Sequence, residues 1–147
     1  MNGKLEPVQL ETVIGDLPSG FEVLRSDARG EGYRHIERLA GDWGAGTLRF
    51  SLPGEVLLAA RCDGELVGIG GLTHDRSGSG MLRMRRFYVR PASRRLGVGR
   101  ILAECLVRRA RRLGCTVAAN AAPGSEPFWE ALGFVREACD DHTHALR

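Results

Sequence analysis

The 147-residue sequence predicts a single α/β domain in which strands and helices follow the order β-α-α-β-β-β-α-β-α-β-β. Three observations predict it. Residues 55–61 and 65–73 are apolar runs joined by Asp63-Gly64, the pattern of a β-hairpin. Residues 81–113 read as one unit: a strand bearing Met84, Phe87, Tyr88 and Val89, a turn marked by Pro91, a basic glycine loop and a long helix. After Gly114 the chain reads as strand, short helix and two short strands.

Composition narrows the function classes. Hydrophobic residues make up 43% and charged residues 27%, an ordinary soluble balance, and the net charge of +3 is too small to demand a nucleic-acid partner. No apolar run approaches the roughly 20 residues of a membrane span. The N-terminal MNGKLEPVQLETV lacks the apolar centre of a signal peptide. Cys62, Cys105, Cys115 and Cys139 form no CxxC pair, so they read as reduced structural thiols in a cytoplasmic protein.

Residues 1–20, punctuated by Gly and Pro, read as an N-terminal extension before a domain over 21–147. Residues 21–25 alternate and are expected as the first strand. Ser26 or Asp27 caps a helix whose apolar stripe is Tyr33, Ile36, Leu39 and Ala40, with Gly30 and Gly32 weakening its opening turn. A second short helix is expected around 45–50. In the hairpin, Gly68, Gly70 and Gly71 imply a bulge or a close backbone approach. His74-Asp75-Arg76 leads into a flexible turn, Ser77-Gly78-Ser79-Gly80. In the long helix Leu102, Leu106, Ala110 and Leu113 share one face, while Arg108, Arg109, Arg111 and Arg112 lie mostly on another, and Gly114 ends it. A fifth strand, 116–119, ends at Asn120. Ser125 or Gly124 precedes a short helix through Leu132, with Pro127 in its first turn. The strands 134–137 and 143–147 are joined by Asp140-Asp141.

The loop Arg94-Arg95-Leu96-Gly97-Val98-Gly99 sits where a strand hands over to a helix. Its glycines let the backbone approach a ligand closely, and the first amides of a helix carry the positive end of the dipole with no intrahelical acceptor. With Arg94, Arg95 and Arg100 around it, this is a device for a pyrophosphate. It is not a P-loop, which needs Gly-Lys-Ser/Thr, nor a dinucleotide fingerprint, which needs a third glycine and an early βαβ unit.

The arrangement resembles motif A of the GNAT superfamily of acyl-CoA-dependent N-acyltransferases, through Arg94, Gly97 and Gly99 preceded by Phe87-Tyr88-Val89 and Pro91. The segment Phe128-Trp129-Glu130-Ala131-Leu132-Gly133-Phe134 is similar to that superfamily's aromatic-aromatic-Glu-x-x-Gly-Phe segment, with Trp where Tyr is usual. The resemblance covers roughly residues 21–147 and is thin before Glu55. It implies a mixed, mostly antiparallel central sheet flanked by helices, with splayed fourth and fifth strands that admit acetyl-CoA. It also implies transfer of the acetyl group to the primary amine of a small molecule or peptide. Backbone groups of Phe87, Tyr88 and Val89 would then hold the pantetheine arm and the acetyl carbonyl, one amide serving as oxyanion donor. The amides of Leu96, Gly97, Val98, Gly99 and Arg100 would cradle the pyrophosphate, with Asn120, Ser125, Phe128 and Trp129 along the same cleft. The acceptor side falls to the early helices and their loop, which makes Trp43, Phe50 and Glu55 candidates beside their alternative role in packing or in a loop.

Two features depart from the family pattern. The strand position that often carries a catalytic carboxylate is occupied by Arg83-Met84-Arg85-Arg86, and the proton-donating tyrosine is replaced by Trp129. Tyr88 is the nearest substitute acid, ahead of Ser125 and Cys115. Glu55, Asp75 and His74 are the candidate bases, each also readable as a solvated loop residue, and positioning of an already neutral amine is the alternative. His142 and His144 beside Asp140 and Asp141 are read as surface residues without a metal, and His35 as a helix residue, packed or exposed. Eleven arginines between Arg83 and Arg112 raise a nucleic-acid surface as a rival, but base-stacking aromatics are not interleaved with them. A non-catalytic acyl-CoA sensor is a second rival. Edge strands and the C-terminal hairpin offer surfaces for a homodimer.

Overall fold

The computed structural model describes residues 7–75 and 79–147. The first six residues of the expected extension, and Arg76, Ser77 and Gly78 of the expected flexible turn, lie outside the described residues. The strands are β1 (Val8–Thr12), β2 (Val56–Cys62), β3 (Glu65–His74), β4 (Leu82–Val89), β5 (Val117–Ala119), β6 (Val135–Arg136) and β7 (His144–Leu146). The helices are α1 (Phe21–Gly30), α2 (His35–Ala45), α3 (Val98–Arg112) and α4 (Glu126–Ala131). One seven-stranded sheet has the order β1-β2-β3-β4-β5-β7-β6, antiparallel at every pairing except β4–β5. The expected element order holds. Among the described residues no helix is long and apolar enough to cross a membrane.

The first strand is not where the alternation of 21–25 predicts it. Those residues open α1, which buries Phe21, Leu24 and Ala28 at helical spacing and leaves Val23 51% exposed. Gly20, at φ +87°, turns the chain into the helix. The sheet's edge is instead β1, inside the stretch expected as an extension and paired with β2 from Val8↔Cys62 to Thr12↔Leu58. The turn expected to open a helix, around Gly30 and Gly32, instead separates α1 from α2. The expected helix at 45–50 is likewise absent, since α2 ends at Ala45 and Gly46 closes it at φ +74°.

Helices cover both faces of the sheet, which is why β2 is buried from Val56 to Ala60 without polar alternation. Leu72, Leu82 and Met84 pack with Leu102, Leu106 and Ala110 of α3. On the other face Leu57, Ala59, Ile69 and Tyr88 pack with Phe21, Leu24, Ile36, Leu39 and Trp43 of α1 and α2. Arg25 and Arg29 both bond to Glu37 and tie those helices together, at 2.8 and 2.5 Å. The β2–β3 turn is Asp63-Gly64, with φ +52° and +80°, the left-handed pair that a two-residue hairpin requires. At Gly71 a Cβ would sit 2.5 Å from the Val56 carbonyl oxygen and 2.7 Å from the Phe50 ring, so the close backbone approach is real.

Candidate functional site

Strands β4 and β5 pair only at Leu82↔Val117 and Arg83↔Ala118. From Met84 to Val89 the β4 edge has no described strand beside it on that side, and a cleft of about 1410 Å³ opens there. A bulge shapes its wall. Ile69 faces Tyr88 and Gly71 faces Arg85, so Arg86 and Phe87 together oppose Gly70. Arg86 takes the left-handed conformation, φ +55°, and the Phe87 ring lies where a Cβ on Gly70 would be, 2.6 Å from its nearest atom. As strand neighbours, Phe87 and Tyr88 send their rings to opposite sides of the sheet. Phe87 joins Phe128 and Trp129 at centroid distances of 5.7 and 5.1 Å. Tyr88 joins Tyr33 and His35 at 6.1 and 5.9 Å.

At one end of the cleft lies the glycine loop. Arg95 and Gly97 have φ of +66° and +84°, and Gly97 delivers the chain into α3. Ile101 is the first residue whose amide bonds back along the helix, to the Gly97 carbonyl, so the amides of Val98, Gly99 and Arg100 have no intrahelical acceptor. Gly99 lets the helix start sit against the cleft wall, since a Cβ there would meet the Phe128 ring at 3.2 Å. Gly97, Gly99, Arg95 and Arg100 all line the cleft. Leu96 and Val98 do not, since the Leu96 side chain is exposed and that of Val98 is buried under β2 and β3. Arg94 also lines the cleft but is turned onto Glu31, with Nη1 and Nη2 at 2.8 and 2.6 Å from its oxygens and Nε donating to the Val89 carbonyl. Arg94 therefore ties the loop to the end of α1.

The remaining expected cleft residues gather as well. Asn120, Ser125, Phe128 and Trp129 line the side opposite β4, with Ser125 Oγ donating to the Ala122 carbonyl at 2.8 Å and Asn120 donating to the Asp141 carbonyl at 3.4 Å. Trp129 is 5% exposed and packs into the aromatic cluster.

The expected acid and bases fare differently. Tyr88 lies in the cleft, but its hydroxyl donates to Glu31 at 2.5 Å, and burial followed by the Glu31 bond raises its pKa well above the usual phenol value. Asp75 reaches the cleft but pairs with Arg83 at 3.1 Å, its side chain only 7% exposed. Glu55 is outside the cleft. Its carboxylate accepts the backbone amides of His74 and Leu52 at 3.0 and 3.3 Å, which clamps β3 to the start of β2. His74 lines the cleft and bonds through Nε2 to the Pro53 carbonyl. Trp43 and Phe50 are core residues packed with the sheet and do not line this cleft, and the Trp43 indole donates to the Gly15 carbonyl at 2.8 Å. His142 and His144 are not surface residues. They are 6% and 0% exposed and bond to Glu137 and Glu130 at 2.9 and 2.8 Å. Among the described residues no cluster of three metal-ligating side chains exists.

The structure adds a residue to the site. His35, at the start of α2, lines the cleft, and its Nε2 lies 3.0 Å from the Phe87 carbonyl oxygen. A carbonyl only accepts, so Nε2 carries the proton, and in the neutral ring Nδ1 keeps the lone pair. Burial lowers the His35 pKa below its ordinary 6.5, and the charges of Arg86 and Arg38 lower it further against the opposing effect of the Phe87 carbonyl. Nothing local in the sequence marks His35, because its partner is 52 residues away.

Splayed strands with a glycine-headed helix at one end are the arrangement that the resemblance to acyl-CoA-dependent transferases implies. The family model for the acetyltransferase (GNAT) family matches residues 20–134, and the chain belongs to that family, whose members use acetyl-CoA. Solved structures share the fold. A candidate acetyltransferase from Exiguobacterium sp. 255-15 superposes with TM-score 0.86 at 24% identity, covering 95% of this chain and 93% of that one. A candidate GNAT-family acetyltransferase from Desulfovibrio desulfuricans gives 0.72 at 18%, covering 96% and 99%. The GNAT-family N-acetyltransferase YhbS from Escherichia coli, solved in complex with CoA, gives 0.69 at 15%, covering 100% and 84%. No curated protein matches the sequence significantly.

Proposed function

We propose that this protein is an N-acetyltransferase that moves the acetyl group of acetyl-CoA to a primary amine by direct attack in a ternary complex. The observation that carries this reading is the juxtaposition, in one cleft, of the unpaired β4 edge, the free amides at the start of α3, and a neutral histidine bonded to the β4 backbone. The thioester supplies an activated acyl carbon. The chain supplies the rest. Amides of Val98, Gly99 and Arg100, with Arg95 and Arg100, hold the pyrophosphate. The backbone edge at Phe87–Val89 holds the pantetheine arm, between strands that can no longer pair with each other.

His35 Nδ1 receives a proton from the acceptor amine as nitrogen bonds to the acyl carbon and the carbon–sulfur bond breaks. The proton taken by His35 passes through water to the thiolate that leaves, so amine and thioester give amide and free thiol and the ring returns to neutral. The role of base is given to His35 because Asp75 is neutralised by Arg83, Glu55 lies outside the cleft, and His74 is held at Pro53 whereas His35 is held at Phe87, on the backbone edge that takes the pantetheine arm. Tyr33 and Tyr88 are both phenols lining the cleft, and the bond of Tyr88 to Glu31 makes it a positioning group for the α1–α2 turn.

The test is calorimetric titration with acetyl-CoA, with a Gly97→Glu variant and an amine screen read by thiol release. Saturable binding that the variant loses while still folded, together with turnover of at least one amine, is the expected result. Binding unchanged in the folded variant refutes the loop assignment, and binding without turnover of any amine supports a sensor instead.

A further inference from the structure

The acceptor end of the cleft, between α2 and β4, is lined by Arg38, Arg83, Arg85 and Arg86. Arg83 is neutralised there. It pairs with Asp75 at 3.1 Å and donates to the Asp141 carbonyl at 2.5 Å. Arg86 is paired too, but through Nη2 alone, and the Arg38 side chain is unpaired among the described residues. The Arg86 side chain is 12% exposed and its Nη2 reaches Asp42 at 3.1 Å, yet its buried Nε has no hydrogen-bond partner among the described residues. A buried donor without an acceptor is destabilising, and a guanidinium offers further donors in a planar fork. The Arg38 side chain, on the exposed side of α2, makes no hydrogen bond or ion pair among the described residues. Arg38 follows His35 by one helical turn on α2, and all three side chains line the same cleft, which places both arginines beside the proposed base. Arg86 immediately precedes Phe87, whose carbonyl holds the His35 ring.

We propose that the acceptor is a small amine that also carries an anionic group, a carboxylate or a phosphate, separated from the amine by a short spacer and held by Arg38 and Arg86. This rests on the N-acetyltransferase reading. A guanidinium fork matches the oxygens of either anion. An anion bound there sets its amine next to His35 and the β4 bulge. A polyamine or an aminoglycoside meets like charge at the same wall, which disfavours it.

The experiment uses the full chain and matched probes: alanine against ethylamine, tyrosine against tyramine, and phosphoethanolamine against ethanolamine, with spermidine and kanamycin as polycations. Each is titrated calorimetrically into the protein saturated with CoA, and each is assayed for thiol release with acetyl-CoA. The anionic member of at least one pair is expected to bind, or to be turned over in kcat/KM, at least tenfold better than its partner. The pair that responds distinguishes carboxylate from phosphate. Arg86→Gln is expected to shrink that ratio at least tenfold. Arg38→Gln, at an exposed position whose substitution breaks no bond among the described residues, is expected to shrink it several-fold, so the proposal stays testable if the Arg86 variant misfolds.

Anionic members that bind selectively without turnover of any amine support the acceptor class and refute the enzyme reading. Turnover with no preference for the anionic members, or a preference for spermidine or kanamycin, overturns the acceptor class while the enzyme reading stands. Failure of every probe both to bind and to react overturns it as well, as does a ratio that neither arginine substitution changes.

Discussion

Replacing His35 by Gln removes the ring nitrogen proposed as base and keeps an N–H that can meet the Phe87 carbonyl. A positioned general base is worth about 10²–10⁴ in rate, or about 2.7–5.4 kcal/mol of barrier. The structural cost is smaller. The His35 ring meets the edges of Tyr33 and Tyr88, at 5.6 and 5.9 Å, and such pairs are worth roughly 0.5–1.5 kcal/mol each. The variant should therefore fold with a modestly lowered melting temperature and lose kcat/KM by about two to four orders of magnitude at pH 7.5. The pH profile separates a base from a packing residue. In the parent, kcat/KM should show a limb below pH 6.5 as His35 gains a proton, because burial, Arg86 and Arg38 hold its folded pKa below that value.

Stability has a definite sign here. A histidine whose folded pKa is depressed favours folding above its unfolded pKa, and that contribution is lost as pH falls from 6.5 toward the folded value. The gap in melting temperature between parent and variant should thus narrow on acidification. In the variant the acid limb should disappear, leaving only the rise due to ionisation of the acceptor amine. A variant that retains kcat/KM within about threefold at pH 7.5, with the acid limb intact, would refute the assignment.

Other perturbations test the frame around the site. Gly71→Ala forces a Cβ to within 2.5 Å of the Val56 carbonyl, in a central strand that cannot retreat, and should cost about 1–3 kcal/mol by denaturant unfolding; an unchanged midpoint would mean the strands are not packed this closely. Trp129→Phe should cost about 1–2 kcal/mol by thinning the cluster with Phe87, Phe128 and Phe134. Its turnover should stay close to parent, and a large fall in rate at unchanged acetyl-CoA affinity would give the indole a direct part in the reaction. Glu37 is held down to about 2 from its ordinary 4.5 by bonds from Arg25 and then Arg29, so its contribution is present above 4.5 and lost as pH falls toward 2. Glu37→Gln should therefore be less stable than the parent at pH 7, and the two should converge in acid melts.

Features whose cause is local were legible along the chain. Asp63-Gly64 specifies a tight hairpin because few residue pairs take two left-handed conformations in succession. The glycine turn at the start of α3 was legible for a related reason, since Gly97 adopts φ +84°, whereas the Phe128 ring that Gly99 admits comes from α4 and was not. The misplaced first strand shows where local patterning stops. Phe21-Glu22-Val23-Leu24-Arg25 satisfies a period of two as well as the helical spacing of Phe21, Leu24 and Ala28, and only the packing of those three against the sheet selects the helix. Val8–Thr12, an edge strand with a weak apolar signal, acquires its strand identity from pairing with β2 some 50 residues later.

The chemistry of the site depends on residues still further apart. Glu55 and Asp75 look available in sequence, but backbone amides of His74 and Leu52 claim one and Arg83 claims the other. Arg94 was legible as part of the motif, whereas its bond to Glu31, 63 residues away, was not. His35 becomes a candidate base only when the β4 bulge brings the Phe87 carbonyl to its Nε2 and burial holds the ring neutral. A turn that a residue's own type demands, such as Asp63-Gly64, can be read along the chain. Protonation and hydrogen-bond partnership depend on what folding brings within about 3 Å, and tertiary structure alone sets that distance.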